Sequence, residues 1–133
     1  MDWLSHAVAG AAVGYAFGDP TLGAVVALVP DLPLLGPRRA LPPRLYDWTH
    51  SLLFTFAVGG AALVLTGSPL VLWALVSHLV LDLPTHGRAW GAPVLLPFSN
   101  ARFALWNNDW ELFSPHWWAG LAVTITWSLL WLI

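Results

Sequence analysis

The chain has 133 residues, 58% of them hydrophobic and only 9% charged, against about 25% charged in a typical soluble domain. With no cysteine there is no disulfide framework and no thiolate metal site, and the basic residues, all arginine and scattered, are too few for a nucleic-acid surface. This composition, in a length suited to one domain (1–133), predicts an all-α integral membrane protein: a compact bundle of four to five short transmembrane or half-spanning helices with two long loops on one side.

Met1-Asp2-Trp3 lacks the positive region of a signal peptide, so the first apolar segment, about Trp3 to Phe17, is read as retained. Its glycines at Gly10, Gly14 and Gly18 form a small-residue stripe that admits another helix closely. His6 lies on that stripe, pointing into the bundle. Gly18-Asp19-Pro20 is a turn. The apolar piece Thr21 to Val29 is too short to cross a hydrocarbon core of ~30 Å at ~1.5 Å per residue. It ends at Pro30-Asp31-Leu32-Pro33, and a proline-rich loop with Arg38, Arg39 and Arg44 follows.

Tyr46-Asp47-Trp48-Thr49-His50-Ser51 opens the next apolar run, which reaches about Thr66 and contains Gly59-Gly60. After the tight turn Gly67-Ser68-Pro69, a helix is expected from Leu70 to Leu83. Residues 84–115 are a second long loop with Arg88, Arg102, Asp109 and Glu111. Trp117 to Ile133, about 17 residues, is at the lower limit for a span. If the segments alternate in direction, His6, Asp31, His50, Asp82 and His86 share one end of the bundle and His78 lies one turn deeper. All the arginines fall at that same end, which the positive-inside rule assigns to the cytoplasm. Tryptophans at both ends suit an aromatic belt.

The richest stretch is Ser77-His78-Leu79-Val80-Leu81-Asp82-Leu83-Pro84-Thr85-His86. His78 and Asp82, four apart, share one helix face; Pro84 breaks the helix and His86 returns just beyond it. An imidazole and a carboxylate in an apolar segment are costly unless paired. Singly, each candidate has an ordinary reading: His50 as a cap or interface residue, Asp31 and Asp19 as turn residues, Asp47 as a favourable helix N-terminal charge, His116 as an interface residue. Together, four histidines and at least two acids converging on one end make a nitrogen and oxygen metal site, with Thr49, Ser51, Ser77 and Thr85 beside it as supporting groups. The plain alternative is a hydrogen-bonded polar cluster that locks the bundle. A Ser-His-Asp site is not supported: there is no Gly-x-Ser-x-Gly elbow, and Ser51 and Ser77 are sequence neighbours of their histidines. Nor does a polar track cross the bundle, as a transporter needs.

Ser5-His6-Ala7, Val29-Pro30-Asp31, Thr49-His50-Ser51-Leu52, Ser77-His78 with Leu81-Asp82, Pro84-Thr85-His86 and Leu96-Pro97-Phe98-Ser99 through Arg102-Phe103 occur in order over residues 4–103. In these the chain resembles the membrane-bound metal-dependent hydrolases, also described as LexA-binding, inner-membrane-associated hydrolases. It departs from their pattern twice. Pro33 stands where the family often has a second Asp, and Leu45 and Tyr46, followed by Asp47, stand where it often has His-Arg. The order of His, Asp, His, His-x-x-x-Asp and His is also similar to that of zinc-dependent phospholipase C enzymes, which implies phosphoester chemistry and two or more metals.

The expected function is therefore a metal-dependent hydrolase at the cytoplasmic face of a bacterial or archaeal inner membrane. Membrane lipids surround it, and a lipid phosphate is a candidate substrate. The expected ligands are His6, Asp31, His50, His78, Asp82 and His86, holding one or two divalent ions, zinc first and manganese or iron next. Asp47 is the candidate general base, and Arg88 and Arg102 the groups for an anionic substrate. The other expectation is a non-enzymatic scaffold whose His/Asp cluster is a structural metal or hydrogen-bond staple.

Overall fold

The computed structural model describes residues 2–35, 43–87, 91–105 and 114–133. Six α-helices follow in order: α1 (Trp3–Ala16), α2 (Pro20–Leu28), α3 (Pro43–Thr49), α4 (Leu52–Thr66), α5 (Leu70–Asp82) and α6 (Pro115–Leu132). A 3-10 helix, Val29–Leu35, continues α2. No strand occurs among the described residues; an isolated bridge between Ala92 and Phe103 ties together the two limbs of the 91–105 loop.

Local chemistry sets the helix starts. The carboxylates of Asp2 and Asp19 accept from the backbone N–H of Ser5 and Leu22, and Ser51 and Ser114 cap α4 and α6 in the same way. Asp19, expected as a turn residue, is thus the N-cap of α2, with Pro20 next in the position that costs no helix hydrogen bond. Gly67 ends α4 at φ 70°, a left-handed conformation that glycine takes without strain. The run from Tyr46 to Thr66, expected as one segment, is two helices. They break at His50-Ser51, where Ser51 is extended and begins the new cap.

Helix α5 is central, packing on α1, α2, α4 and α6. Its first half joins Val13 and Val26 through Leu70, Ala74 and Leu75 in the apolar core. Its second half carries the polar cluster. Gly10 and Gly14 bring α1 directly onto Gly23 and the start of α2: a methyl group on Gly10 or Gly23 would overlap backbone atoms of the other helix. Gly18 makes the expected turn after α1 at φ 85° and faces open space, so it is not part of the packed stripe.

The predicted bundle of transmembrane or half-spanning helices is corrected here. The fold is helical, but no helix among the described residues is long and apolar enough to cross a membrane. The 15 residues of α4 extend only about 22 Å. Helix α6 has 18 residues, but Pro115, His116, Gly120, Thr124, Thr126, Ser128 and its tryptophans dilute the hydropathy of Pro115–Leu132. The orientation drawn from the arginines required spanning helices and lapses with them.

Candidate metal centre

Five elements deliver the expected ligands. His6 stands on α1, one residue past the Asp2–Ser5 cap. Asp31 sits in the 3-10 helix between Pro30 and Pro33. His50 occupies the corner between α3 and α4, and its backbone N–H still bonds to the Tyr46 carbonyl. His78 and Asp82 lie one turn apart on α5. His86 follows, with its backbone N–H on the Asp82 carbonyl. Five of these residues are buried, His6 at 1% exposure and His50 and His78 at 0%; the His86 side chain keeps 20%.

The side chains meet at one point. His50 Nε2 and His78 Nε2 are 3.1 Å apart. Asp82 Oδ2 lies 3.3 Å from the first and 3.1 Å from the second. Asp31 Oδ1 lies 3.4 Å and 3.8 Å from the same atoms. Two ligands of a tetrahedral zinc lie roughly 3.3 Å apart, so the His50, His78 and Asp82 atoms have the spacing of three ligands of one ion, with Asp31 beside the two imidazoles. The other Asp82 oxygen, Oδ1, faces His6 Nε2 at 3.2 Å and His86 Nε2 at 3.0 Å. Within both His6-Asp31-His78 and His50-His78-Asp82, the ligand atoms lie within 4.8 Å of one another. These buried groups can hold a metal ion.

Hydrogen bonds behind the cluster aim it. His78 Nδ1 donates to the Ala27 carbonyl at 2.6 Å, and His50 Nδ1 to the Tyr46 carbonyl at 2.8 Å. A carbonyl only accepts, so each ring carries a proton on Nδ1 and turns its Nε2 inward. That is the arrangement in which proteins present histidine to metals. Two lone pairs at 3.1 Å repel unless a cation or a proton lies between them. His6 stacks on His78 with ring centroids 3.9 Å apart, and its Nδ1 has no hydrogen-bond partner among the described residues. Leaving such a group buried costs about 1–3 kcal/mol.

Electrostatics agree. Burial, then the neighbouring His78, pushes His6 down to about 4, so its ring is neutral at pH 7. Burial alone would also push His50 down, but hydrogen bonds to the Asp31 and Asp82 carboxylates outweigh it and raise His50 to about 9. Burial would raise Asp82, yet the His78 and His6 rings hold it well below the usual carboxylate range. Asp31 is lowered in the same way, against its burial, by His50 and then His78. Without metal, the His50 ring keeps its proton at neutral pH, between the Asp31 and Asp82 carboxylates.

Not every expected partner is in this cluster. Asp47 and Arg102 are bound to each other, with Arg102 Nη2 donating to both Asp47 oxygens at 2.8 Å and 2.9 Å. Arg102 Nη1 also donates to the Gly91 carbonyl. Arg88 lies outside the described residues. Of the supporting groups, Thr49 does touch the site: its hydroxyl lies 2.8 Å from the Pro30 carbonyl, beside Asp31, and 3.2 Å from His50 Nδ1. Ser51, Ser77 and Thr85 donate to carbonyls of Trp48, Ala74 and Leu81 within their own turns. Two contributors have no sequence signal as ligands or supports. The Tyr46 ring lies over His50 with centroids 3.9 Å apart, and Ala27 contributes a backbone carbonyl.

The fold and cluster define a class: a small helical protein with a buried histidine and aspartate centre at one end of its bundle. The chain belongs to the YdjM inner membrane protein family, whose model matches residues 1–133. That membership supports a location at the inner membrane. No curated protein and no solved structure matches the chain.

Proposed function

We propose that this protein is a metal-dependent hydrolase of the inner membrane, acting on a phosphate-containing, lipid-like substrate. The observation that carries the reading is the inward pair of imidazole Nε2 atoms, His50 and His78 at 3.1 Å, each ring locked by its Nδ1 proton and closed by Asp31 and Asp82. Neutral imidazole with carboxylate suits zinc first and manganese or iron next. A divalent ion held there supplies Lewis acidity and a water acidified toward about pH 7.

The chain's own residues divide the remaining work. Asp31 and Asp82 balance the charge of an ion; Thr49 and the Tyr46 and Ala27 carbonyls hold the ligands in orientation. The Asp47–Arg102 pair is partly exposed and is the group an arriving anion meets. A phosphate that draws Arg102 toward itself would free Asp47 to take a proton from the water whose oxygen bonds to phosphorus, and to pass it to the alcohol oxygen as that P–O bond breaks. Arg88 is the second cation assigned to the substrate.

Elemental mass spectrometry on untagged protein, beside His78→Ala and Asp82→Ala, tests the centre. At least one equivalent of transition metal in the wild type, lost in both variants, is expected. A panel of phospholipid and phosphomonoester substrates then follows, with Asp47→Asn expected to keep metal and fold but lose turnover. A folded wild type that takes up neither zinc nor manganese overturns the proposal.

A second reading rests on a specific observation. A protonated His50 between Asp31 and Asp82 already closes the cluster as a charge-balanced hydrogen-bond staple. Under that reading the protein is a scaffold, and His78→Ala costs stability with no metal involved.

A further inference from the structure

We infer that the centre takes two ions that share Asp82, an inner one on His50, His78 and Asp31 and an outer, exchangeable one on His6 and His86. This deepens the metal reading above and rests on it. The two oxygens of Asp82 face different imidazoles. Oδ2 lies against His50 and His78, at 3.3 Å and 3.1 Å, and Oδ1 against His6 and His86, at 3.2 Å and 3.0 Å. One ion does not need this arrangement: His50, His78 and Oδ2 of Asp82, with Asp31 beside the two imidazoles, already serve it. It leaves the buried His6 ring, with Nε2 3.2 Å from Oδ1, aimed at the far side of the carboxylate. A carboxylate bridging two cations explains both features.

The two positions differ in kind. The inner ligands are all buried, whereas the outer set includes His86, whose side chain is 20% exposed. Three protein atoms leave an outer ion open to water and substrate, as catalytic sites require. Charge gives the substrate class. One dication is neutralised by Asp31 and Asp82; a second leaves the pair with an excess of positive charge that an anion such as a phosphoester relieves. The outer ion is therefore the weaker one and the one that meets the substrate.

The test loads the full-length protein with zinc and measures the ions retained, beside His86→Ala, His6→Ala and Asp82→Asn, with circular dichroism to verify folding. Two equivalents are expected in the wild type, one in His86→Ala and in His6→Ala, and none in Asp82→Asn. Manganese-loaded wild type is expected to give the multiline spectrum of an exchange-coupled pair, and His86→Ala the six-line spectrum of a single ion. One equivalent in both the wild type and folded His86→Ala overturns the two-ion centre but leaves the metal reading standing. Two equivalents that survive both histidine substitutions, or that are both lost in folded His86→Ala, also overturn it. No ion in the folded wild type overturns the metal reading itself.

Discussion

Two backbone carbonyls decide how the histidines behave. Ala27 and Tyr46 each take an Nδ1 proton, so removing their support should weaken metal without removing a ligand. Thr49→Val deletes the hydroxyl that bridges the Pro30 carbonyl to the His50 corner. It should lower metal affinity about 10–100-fold and cost about 1 kcal/mol, measured by calorimetric titration and denaturant melts.

Protonation offers a second check at this scale. His50, raised to about 9 from 6.5, contributes ion-pair stability that is complete below about pH 6.5 and lost as pH rises through about 9. His6, held down to about 4, acts in the opposite sense: the folded state resists its protonation, so stability is lost as pH falls from about 6.5 toward 4. Metal-free protein should therefore melt highest near pH 6.5, with Tm declining on both sides in melts from pH 4 to 9.5. Metal must displace the His50 proton. Titration at pH 7.5 in buffers of different ionisation enthalpy should show about one proton released, and affinity should rise up to about tenfold per pH unit toward pH 9.

Helix packing places these residues. The close approach of α1 and α2 at Gly10, Gly14 and Gly23 sets His6 and the Ala27 carbonyl on the same side of α5, both against His78. Gly23→Ala should cost about 1–3 kcal/mol and reduce metal retention, because a methyl group there pushes α1 away. Gly60→Ala is the control. A Cβ at Gly60 meets nothing within 4 Å, so the change should be neutral or stabilise by about 0.5–1 kcal/mol. Urea melts of the two variants, with metal content measured on each, separate packing from helix propensity. The break between α3 and α4 matters as much. It takes His50 off a regular helix face and lets its ring reach both carboxylates, a direction that periodicity alone does not give.

The whole molecule has an apolar core at one end of α5 and a polar centre at the other. An ion that binds only the folded state shifts stability by mass action. Zinc at about 100 times its Kd should add roughly 2.7 kcal/mol, seen as a Tm that rises with zinc concentration and returns on chelation. A Tm that zinc does not move would favour the hydrogen-bond staple. The chain belongs to a family of inner membrane proteins, although no described helix can span. The high apolar content that pointed to a membrane therefore does not lie in long spans. It is spread over short helices with exposed faces, such as Val64 and Leu65 on α4 and Leu130 on α6.

Much of this was legible in the residues. Caps, prolines and glycine turns marked the boundaries of α1, α2, α5 and α6 to within a few positions, but not the start of α3 or its break from α4. His78 and Asp82 declared their shared face by spacing. The convergence of His6, Asp31, His50 and His86 on that face followed from alternating segment directions, because short helices joined by tight turns must return to the same end. Four things were decided by tertiary structure. Asp82 divides its oxygens between two pairs of imidazoles. The Ala27 and Tyr46 carbonyls orient the rings. Arg102 holds Asp47 from far along the chain. The described helices stay too short or too polar to cross a bilayer. The physical reason is common to the first three: they are set by backbone atoms and side-chain directions brought together from distant segments, and a residue's identity encodes neither. The fourth turns on where each helix stops, and a composition averaged over the whole chain does not carry that.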